Sequence, residues 1–324
     1  MADKQALNAT FYAFRKREKG GVLTMTTIAY LVLTVVSFGL FVALNWAAVT
    51  DYIAWYGDLV ARAAEGGGQP DPAMMTPPAS VMALGPIMFL FQILYYVLAA
   101  AYEAACLRWL VRGESKGLFG FSFGADTWRV YFTYWIWFFL GVAVFIAFLI
   151  VFGGMIGSIA AVGASGGDAS SMGALGLFAP LIVLALLLVM AYFSVRLAPA
   201  AATSVARNRF AFFDAWKVTK GRFWALLGSF VLLFLMYFVA TMILYGVGAA
   251  AFVMGVVGQA GALGSEPTPD EMMTLFMQPQ VLIPLAVVCI AGLVGYFVWL
   301  IAMFGVNARA AALALEEGKI TAEA

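Results

Sequence analysis

The sequence predicts an all-α, polytopic integral membrane protein with six transmembrane helices. Of its 324 residues, 64% are apolar and only 11% are charged, a composition that soluble domains do not have. Six apolar runs are each long enough to cross a hydrocarbon core, which needs about 20 helical residues. Strands of a membrane barrel would alternate apolar and polar residues, whereas these runs are apolar all round. The runs are 24–45, 83–107, 131–154, 175–196, 223–250 and 281–305.

Basic residues lie almost entirely on one side of the predicted membrane. Arg62 is the single exception among the lysines and arginines, and the side that holds the others also holds both termini. Acidic residues do not share this bias. Because cytoplasmic loops are enriched in Lys and Arg, both termini are predicted to be cytoplasmic. The formal net charge of +1 is segregated across the bilayer and therefore indicates no nucleic-acid partner.

The chain, residues 1–324, is predicted to be a single membrane domain of three related hairpins. Its parts are a cytoplasmic lead-in (1–23), hairpin 1 (24–107), an interfacial helix with hairpin 2 (108–196), an interfacial helix with hairpin 3 (197–305) and a cytoplasmic tail (306–324). The strongest sign of repetition is the pattern Asp-x-Trp-basic-Val, which occurs at 126–130 and again at 214–218. Residues 11–16 form a looser third copy.

Two patterns predict where helices begin. Pro86, Pro180 and Pro284 stand near the outer end of each even-numbered span. Proline suits the first turn of a helix because its missing N–H costs nothing there. Asp126 and Asp214 precede an aromatic residue, and their carboxylates are predicted to cap free backbone N–H groups at helix starts.

Composition assigns the segments between the spans. Segments 116–131 and 207–224 combine basic with aromatic residues, and each is predicted to form a short helix in the cytoplasmic interface. On the outer side, a helix is predicted from Asp51 to Glu65. The outer loops at 155–173 and 255–280 are rich in Gly, Ser and Ala and are predicted to be flexible covers.

Glu103 is the one acidic residue inside a predicted span, close to the cytoplasmic end of helix two. A carboxylate at this depth needs a partner, because desolvating a lone charge is costly. Arg108 lies little more than a turn further along the chain, and Arg196 lies at the matching end of helix four. We expect Glu103 to pair with one of these arginines and so join helices. The open alternative is a proton or ion relay.

Aromatic and basic residues concentrate at the cytoplasmic interface. An indole ring and a long cationic side chain each satisfy both the apolar and the polar phase there, so general membrane anchoring explains them. Specific recognition of anionic lipid headgroups is the sharper hypothesis. Its candidate residues are Trp128, Arg129, Arg207, Arg209, Trp216, Lys217, Lys220 and Arg222.

The sequence contains no constellation that predicts catalysis. It has no histidine, no Gly-rich phosphate loop ending in Lys-Ser/Thr, no Gly-x-Ser-x-Gly elbow and no acids at metal-ligand spacing. We therefore predict no catalytic residue, no metal site and no cofactor.

One stretch carries a family resemblance. An Arg-Leu-Ala-Pro exit from helix four at 196–199 is followed by Trp-Lys-Val-Thr-Lys-Gly-Arg-Phe-Trp at 216–224. This pattern resembles a broad group of bacterial six-helix inner-membrane proteins, which includes the membrane domain of some glycerophosphodiester phosphodiesterases. The resemblance implies a bacterial plasma membrane and six spans but no reaction, because those enzymes carry catalysis on a separate soluble domain.

These observations favour a non-enzymatic inner-membrane protein that binds anionic lipid of the cytoplasmic leaflet, a partner membrane protein, or a second copy of itself. The alternative is a transporter or channel for a lipid-like or small solute, with Glu103 and Arg196 lining the path. A transporter core would show several charges at mid-membrane, and the predicted spans show few.

Overall fold

The computed structural model describes residues 8–17, 21–64, 75–164, 169–260, 274 and 277–323. Side chains at 16–17, 63–64, 159, 161–164, 169–180 and 259–260 lie outside this description. After a π-helical turn at Ala13–Arg17, the helices are α1 Val22–Leu44, α2 Trp46–Ala64, α3 Ala79–Arg112, α4 Ala125–Ala164, α5 Ala169–Leu197, α6 Ala200–Ala206, α7 Ala215–Thr219, α8 Phe223–Ala260 and α9 Pro279–Glu316.

Six helices are long and apolar enough to cross a membrane, as predicted: α1, α3, α4, the stretch from α5 into α6, α8 and α9. At most 11% of the most apolar window of any of them is buried inside the protein. Apolar side chains this exposed would be unstable in water, so the hydrocarbon of a bilayer is their solvent. The fold is therefore an all-α polytopic membrane fold.

The chain forms two compact units, which are described separately. The larger unit comprises residues 1–20, 107–113 and 149–324, and the smaller comprises residues 21–106 and 114–148.

The core of the larger unit lies where α6 packs on the end of α9. All seven residues of α6 are buried, as are Ala308, Ala310 and Ala311 of α9. Small side chains let the two backbones approach closely. The lead-in packs on the same end of α9, since a Cβ added at Gly305 would lie 2.9 Å from the Cβ of Ala13.

The core of the smaller unit lies on one face of α3. Ala100, Ala101 and Ala104 are fully buried there. The ring of Tyr102, also on α3, stacks on Tyr30 of α1 with 4.5 Å between the ring centroids. Hairpin 1 is thus held together by small residues and aromatic stacking.

The helices extend beyond the apolar runs. The segment before α4 is not the separate interfacial helix that the sequence predicts, since 113–124 holds turns and one bridge between Leu118 and Phe121, and α4 begins at Ala125. The predicted helix at 207–224 is shorter than expected, because only the 3₁₀ turn Phe212–Asp214 and α7 are helical before α8 begins at Phe223. Positive φ angles at Gly117 and Gly120 interrupt the first segment.

The prolines do not mark helix starts, so that prediction is wrong. Pro86 lies inside α3, Pro180 inside α5 and Pro284 inside α9, whose first residue is Pro279. Each of these helices begins earlier because it continues past the apolar run. Proline inside a membrane helix removes one backbone hydrogen bond, and neighbouring groups compensate for it.

The segments that were predicted to lie on the outer side are more helical than expected. The helix expected from Asp51 to Glu65 is confirmed as far as Ala64 by α2, and Glu65 lies outside the described residues. The covers predicted at 155–173 and 255–280 are partly helix, because α4 continues to Ala164 and α8 to Ala260. Most of the second cover lies outside the described residues.

Candidate functional site

The Arg196 guanidinium, at the end of α5, lies among three aromatic rings. Its central carbon is 5.1 Å from the ring centroid of Trp216, 5.3 Å from that of Tyr192 and 5.5 Å from that of Phe223. These rings come from α7, α5 and α8. Cations are attracted to ring faces within about 6 Å. Three separate helices therefore converge on one positive charge.

Arg196 lacks an acidic partner in the described part of the chain, where no carboxylate lies within 4.0 Å. Its Nη1 donates to the Thr219 hydroxyl at 3.4 Å, and its Nε is buried with no hydrogen-bond partner among the described residues. A guanidinium has five N–H donors and stays protonated in proteins. Arg196 is thus a half-buried cation with donors left to bind an anion.

Apart from Lys220, the basic residues between α6 and α8 are neutralised internally. Asp214 accepts a short hydrogen bond from Arg207 and lies 2.9 Å from Lys217 Nζ and 3.5 Å from Arg209 Nη2. Partial burial alone would raise the pKa of Asp214. The hydrogen bond from Lys217 and the charges of Arg207, Lys217 and Arg209 outweigh burial and lower this pKa.

The C-terminal tail supplies further acids to the same segment. Glu317 pairs closely with the buried Arg222, and Glu323 lies 2.6 Å from Arg209. The Glu323 N–H also donates to the Arg207 carbonyl. Burial raises the pKa of Glu317, but the hydrogen bond from Lys319 and the charges of Arg222 and Lys319 outweigh it, so this pKa is lowered. The tail is therefore ionically tied to the segment between α6 and α8.

The repeated Asp-x-Trp-basic-Val motif has the same local geometry in both copies. Asp126 lies 2.6 Å from Arg129, three residues on, and Asp214 makes the equivalent contact with Lys217. The valines that end the motif are buried and its tryptophans are partly exposed. The predicted capping role fails for Asp214, whose side chain makes no cap hydrogen bond, because neighbouring cations hold the carboxylate.

The predicted headgroup residues therefore fall into two groups. Arg129, Arg207, Arg209, Lys217 and Arg222 are in internal ion pairs. Lys220 is exposed, with no carboxylate within 4.0 Å in the described ranges. Trp128 and Trp216 are partly exposed, and the neighbouring Trp224, not singled out from the sequence, is 79% exposed.

In the smaller unit, Glu103 is 9% exposed and accepts a 2.5 Å hydrogen bond from the hydroxyl of Tyr134. The sequence did not single out Tyr134. Arg108 and Arg196 belong to the other unit, so an ion pair of Glu103 with either residue stays a prediction.

More hydroxyl groups lie near this pair, and sequence reasoning missed them. The Thr27 hydroxyl is 2.8 Å from that of Tyr102, and the Tyr30 hydroxyl is 2.7 Å from that of Tyr95. Tyr95 and Tyr102 are seven residues apart and so share a face of α3. This seven-residue spacing is the feature of the sequence that could have predicted that the two tyrosines face α1 together. The pairs place four hydroxyls between α1 and α3.

No family model matches the chain, and comparison with curated proteins and with solved structures finds no similar protein. The fold alone therefore defines the class of protein, which is a multi-pass α-helical membrane protein. Within the described ranges, no three acidic or cysteine side chains are grouped so that they could hold a metal ion.

Proposed function

We propose that this chain is a bacterial inner-membrane protein, with both termini cytoplasmic, that binds anionic phospholipid of the cytoplasmic leaflet without catalysing a reaction. The site comprises Arg196, Lys220 and the exposed rings of Trp216 and Trp224. A partner membrane protein that carries an acidic group at the same depth would use the same residues.

The observation that carries the proposal is the unneutralised charge of Arg196. Neighbouring cations have carboxylates from Asp214 or the C-terminal tail, whereas Arg196 and Lys220 have none in the described residues. A phosphate oxygen is a strong acceptor for a guanidinium. Exposed tryptophans next to it suit the headgroup layer. These features together favour a lipid phosphate as the missing counter-ion.

The test measures lipid-dependent stability in detergent. We expect phosphatidylglycerol to raise the unfolding temperature of the wild-type protein more than phosphatidylcholine does. Each basic residue near an anionic surface contributes about 1 kcal/mol, so Lys220→Gln should weaken phosphatidylglycerol binding about fivefold. Arg196→Gln should remove most of the difference between the two lipids.

The matched control is Lys116→Gln, since Lys116 is exposed and pairs with Glu114. It should leave the preference for phosphatidylglycerol unchanged. If Arg196→Gln does not fold, the proposal is tested with Lys220→Gln instead. The lipids retained by this variant and by wild type are then counted by native mass spectrometry. Equal retention by wild type and Lys220→Gln would contradict the proposal.

Transport of a small or lipid-like solute is a second candidate, favoured by the buried Glu103. A cavity of about 400 Å³ in the same unit is lined by residues that include Tyr95, Asn45 and Ser37. In vesicles that contain the protein, Glu103→Gln should then abolish uptake while changing the unfolding temperature less than Tyr134→Phe does. A loss of stability without loss of uptake would instead assign Glu103 a structural role.

A further inference from the structure

A membrane-facing groove in the larger unit is a second place where lipid fits. It has a volume of about 410 Å³, within the range of about 300–1,000 Å³ that small-molecule sites occupy. Helix α8 lines it from Leu233 to Leu244, and α9 lines it from Ala291 to Ala302. Both helices are spans, so the groove opens to hydrocarbon.

The length of the groove matches one leaflet. At 1.5 Å per residue, Leu233 to Leu244 covers about 16 Å, which is close to half of a hydrocarbon core about 30 Å thick. Small residues make room along it, and a Cβ added at Gly295 would meet nothing within 4 Å. A single extended acyl chain has this length and this slender shape.

An indole ring marks one end of the groove. Trp299 lines the groove, but its N–H lies inside the protein, without an acceptor in the residues that the structure describes. An atom without exposed surface cannot reach a lipid, so the indole offers a ligand its apolar ring here.

The lead-in closes the same end. Phe11 and Phe14 line the groove next to Ala302, and Ala13 packs on Gly305 one turn further along α9. The Arg15 guanidinium lies 5.7 Å from the Phe11 ring centroid. It is exposed, with no carboxylate within 4.0 Å in the described part of the chain.

We propose that the groove between α8 and α9 holds one acyl chain of an anionic phospholipid, with its phosphate at Arg15. This inference rests on the proposed function, because it assigns a tail site to the class of ligand proposed there. It adds that the lead-in is part of the binding site and that binding requires an unfilled Gly295.

The experiment fills the groove with a larger side chain at Gly295. Wild type, Gly295→Leu and Gly246→Leu are purified in detergent, supplied with dioleoyl phosphatidylglycerol, and the lipids retained per protein are counted by native mass spectrometry. Gly246, on α8, is the matched control because an added Cβ also meets nothing there and Gly246 is not among the lining residues. We expect Gly295→Leu to lose one retained lipid and Gly246→Leu to lose none.

Arg15→Gln then tests the polar contact with the phosphate. It should weaken retention of the same lipid in the wild-type background. It should not lower retention further in Gly295→Leu, which already lacks this lipid. A photoreactive phosphatidylglycerol with its label in the acyl chain should cross-link to α8 or α9 in wild type and not in Gly295→Leu.

The outcomes separate this inference from the proposed function. If Gly295→Leu retains as many lipids as wild type while Lys220→Gln retains fewer, the groove inference is wrong and the proposed function stands. If Gly295→Leu loses a lipid and Lys220→Gln loses none, the groove is the site and the proposed headgroup site is wrong. If wild type is a dimer that Gly295→Leu dissociates, a second copy covers the groove and the inference is overturned.

Discussion

The guanidinium of Arg196 lies 5.1 Å from the ring centroid of Trp216, a residue of the repeated motif. The pair joins the end of α5 to α7, and the hydrogen bond from Arg196 to Thr219 strengthens the same junction. The indole thus serves two purposes, because one part of it holds a cation while 38% of the residue stays exposed.

Replacing Arg196 by Lys should show how much the planar guanidinium contributes to stability beyond its positive charge. Lysine keeps the positive charge but lacks the planar group that stacks on aromatic faces. We expect Arg196→Lys to lower the unfolding free energy by about 1 kcal/mol, and a double-mutant cycle with Trp216→Ala to show coupling of about 0.5–2 kcal/mol. Denaturant unfolding in detergent measures both. Trp224→Ala, on an exposed neighbour, should show no coupling with Arg196→Lys.

The pair between Arg222 and Glu317 should respond unequally to loss of either partner. Glu317→Gln removes the Glu317 carboxylate from the buried Arg222, and we expect a loss of about 3 kcal/mol. Arg222→Gln should cost less, because Lys319 lies 2.9 Å from Glu317 and still balances it. Lys116→Gln breaks an exposed pair and should cost less than about 1 kcal/mol. Equal losses for Glu317→Gln and Arg222→Gln would contradict this account.

The Tyr134 hydroxyl should be needed to hold Glu103. Tyr134→Phe leaves a buried carboxyl group without its donor, which should cost about 1–3 kcal/mol. Glu103→Gln keeps an acceptor oxygen and should cost less. Thermal unfolding in one detergent measures both changes. Tyr131→Phe is the control, since the Tyr131 hydroxyl makes no hydrogen bond within the described ranges.

Close packing of α8 on α9 should make Gly248 sensitive to substitution. A Cβ at Gly248 would lie 2.3 Å from Val288 Cγ2, on a stiff branched side chain, whereas a Cβ at Gly246 would meet nothing within 4 Å. Gly248→Ala should therefore destabilise the protein by about 1–3 kcal/mol through overpacking. Gly246→Ala should be neutral or slightly stabilising. The same unfolding temperature for both variants would show that the helices do not meet at Gly248.

Low pH should weaken the ion pairs that Asp214 and the C-terminal residue Glu317 make. The pKa values of Asp214 and Glu317 are lowered in the folded state, so their contribution to stability is complete above the ordinary values of 3.8 and 4.5. It is lost as pH falls through the lower folded values. We expect the unfolding temperature to drop as pH is lowered from 5 to about 3. Asp214→Asn and Glu317→Gln together should flatten that drop, and an unchanged pH profile would contradict the assignment.

The sequence by itself determined the solvent of this protein and the number of its spans. Length and hydropathy are properties of contiguous residues, and a run of about 20 apolar residues can satisfy its backbone in a bilayer only as a helix. The helix α2 was also predictable, because its signal too lies in contiguous residues. Helix ends were not, because the helices continue past the hydrocarbon, where hydropathy no longer marks them.

Only the tertiary structure decided which charges are neutralised. Arg222 and Glu317 are 95 residues apart, and Arg209 meets Glu323 at the opposite end of the chain. The residues that flank these cations in the sequence do not show which of them will meet an acid. Folding brings acids to Arg207, Arg209 and Arg222 and surrounds Arg196 with aromatic rings instead. Coulombic attraction weakens as the distance between charges grows, so neutralisation depends on distance in space, which the order of residues along the chain does not specify.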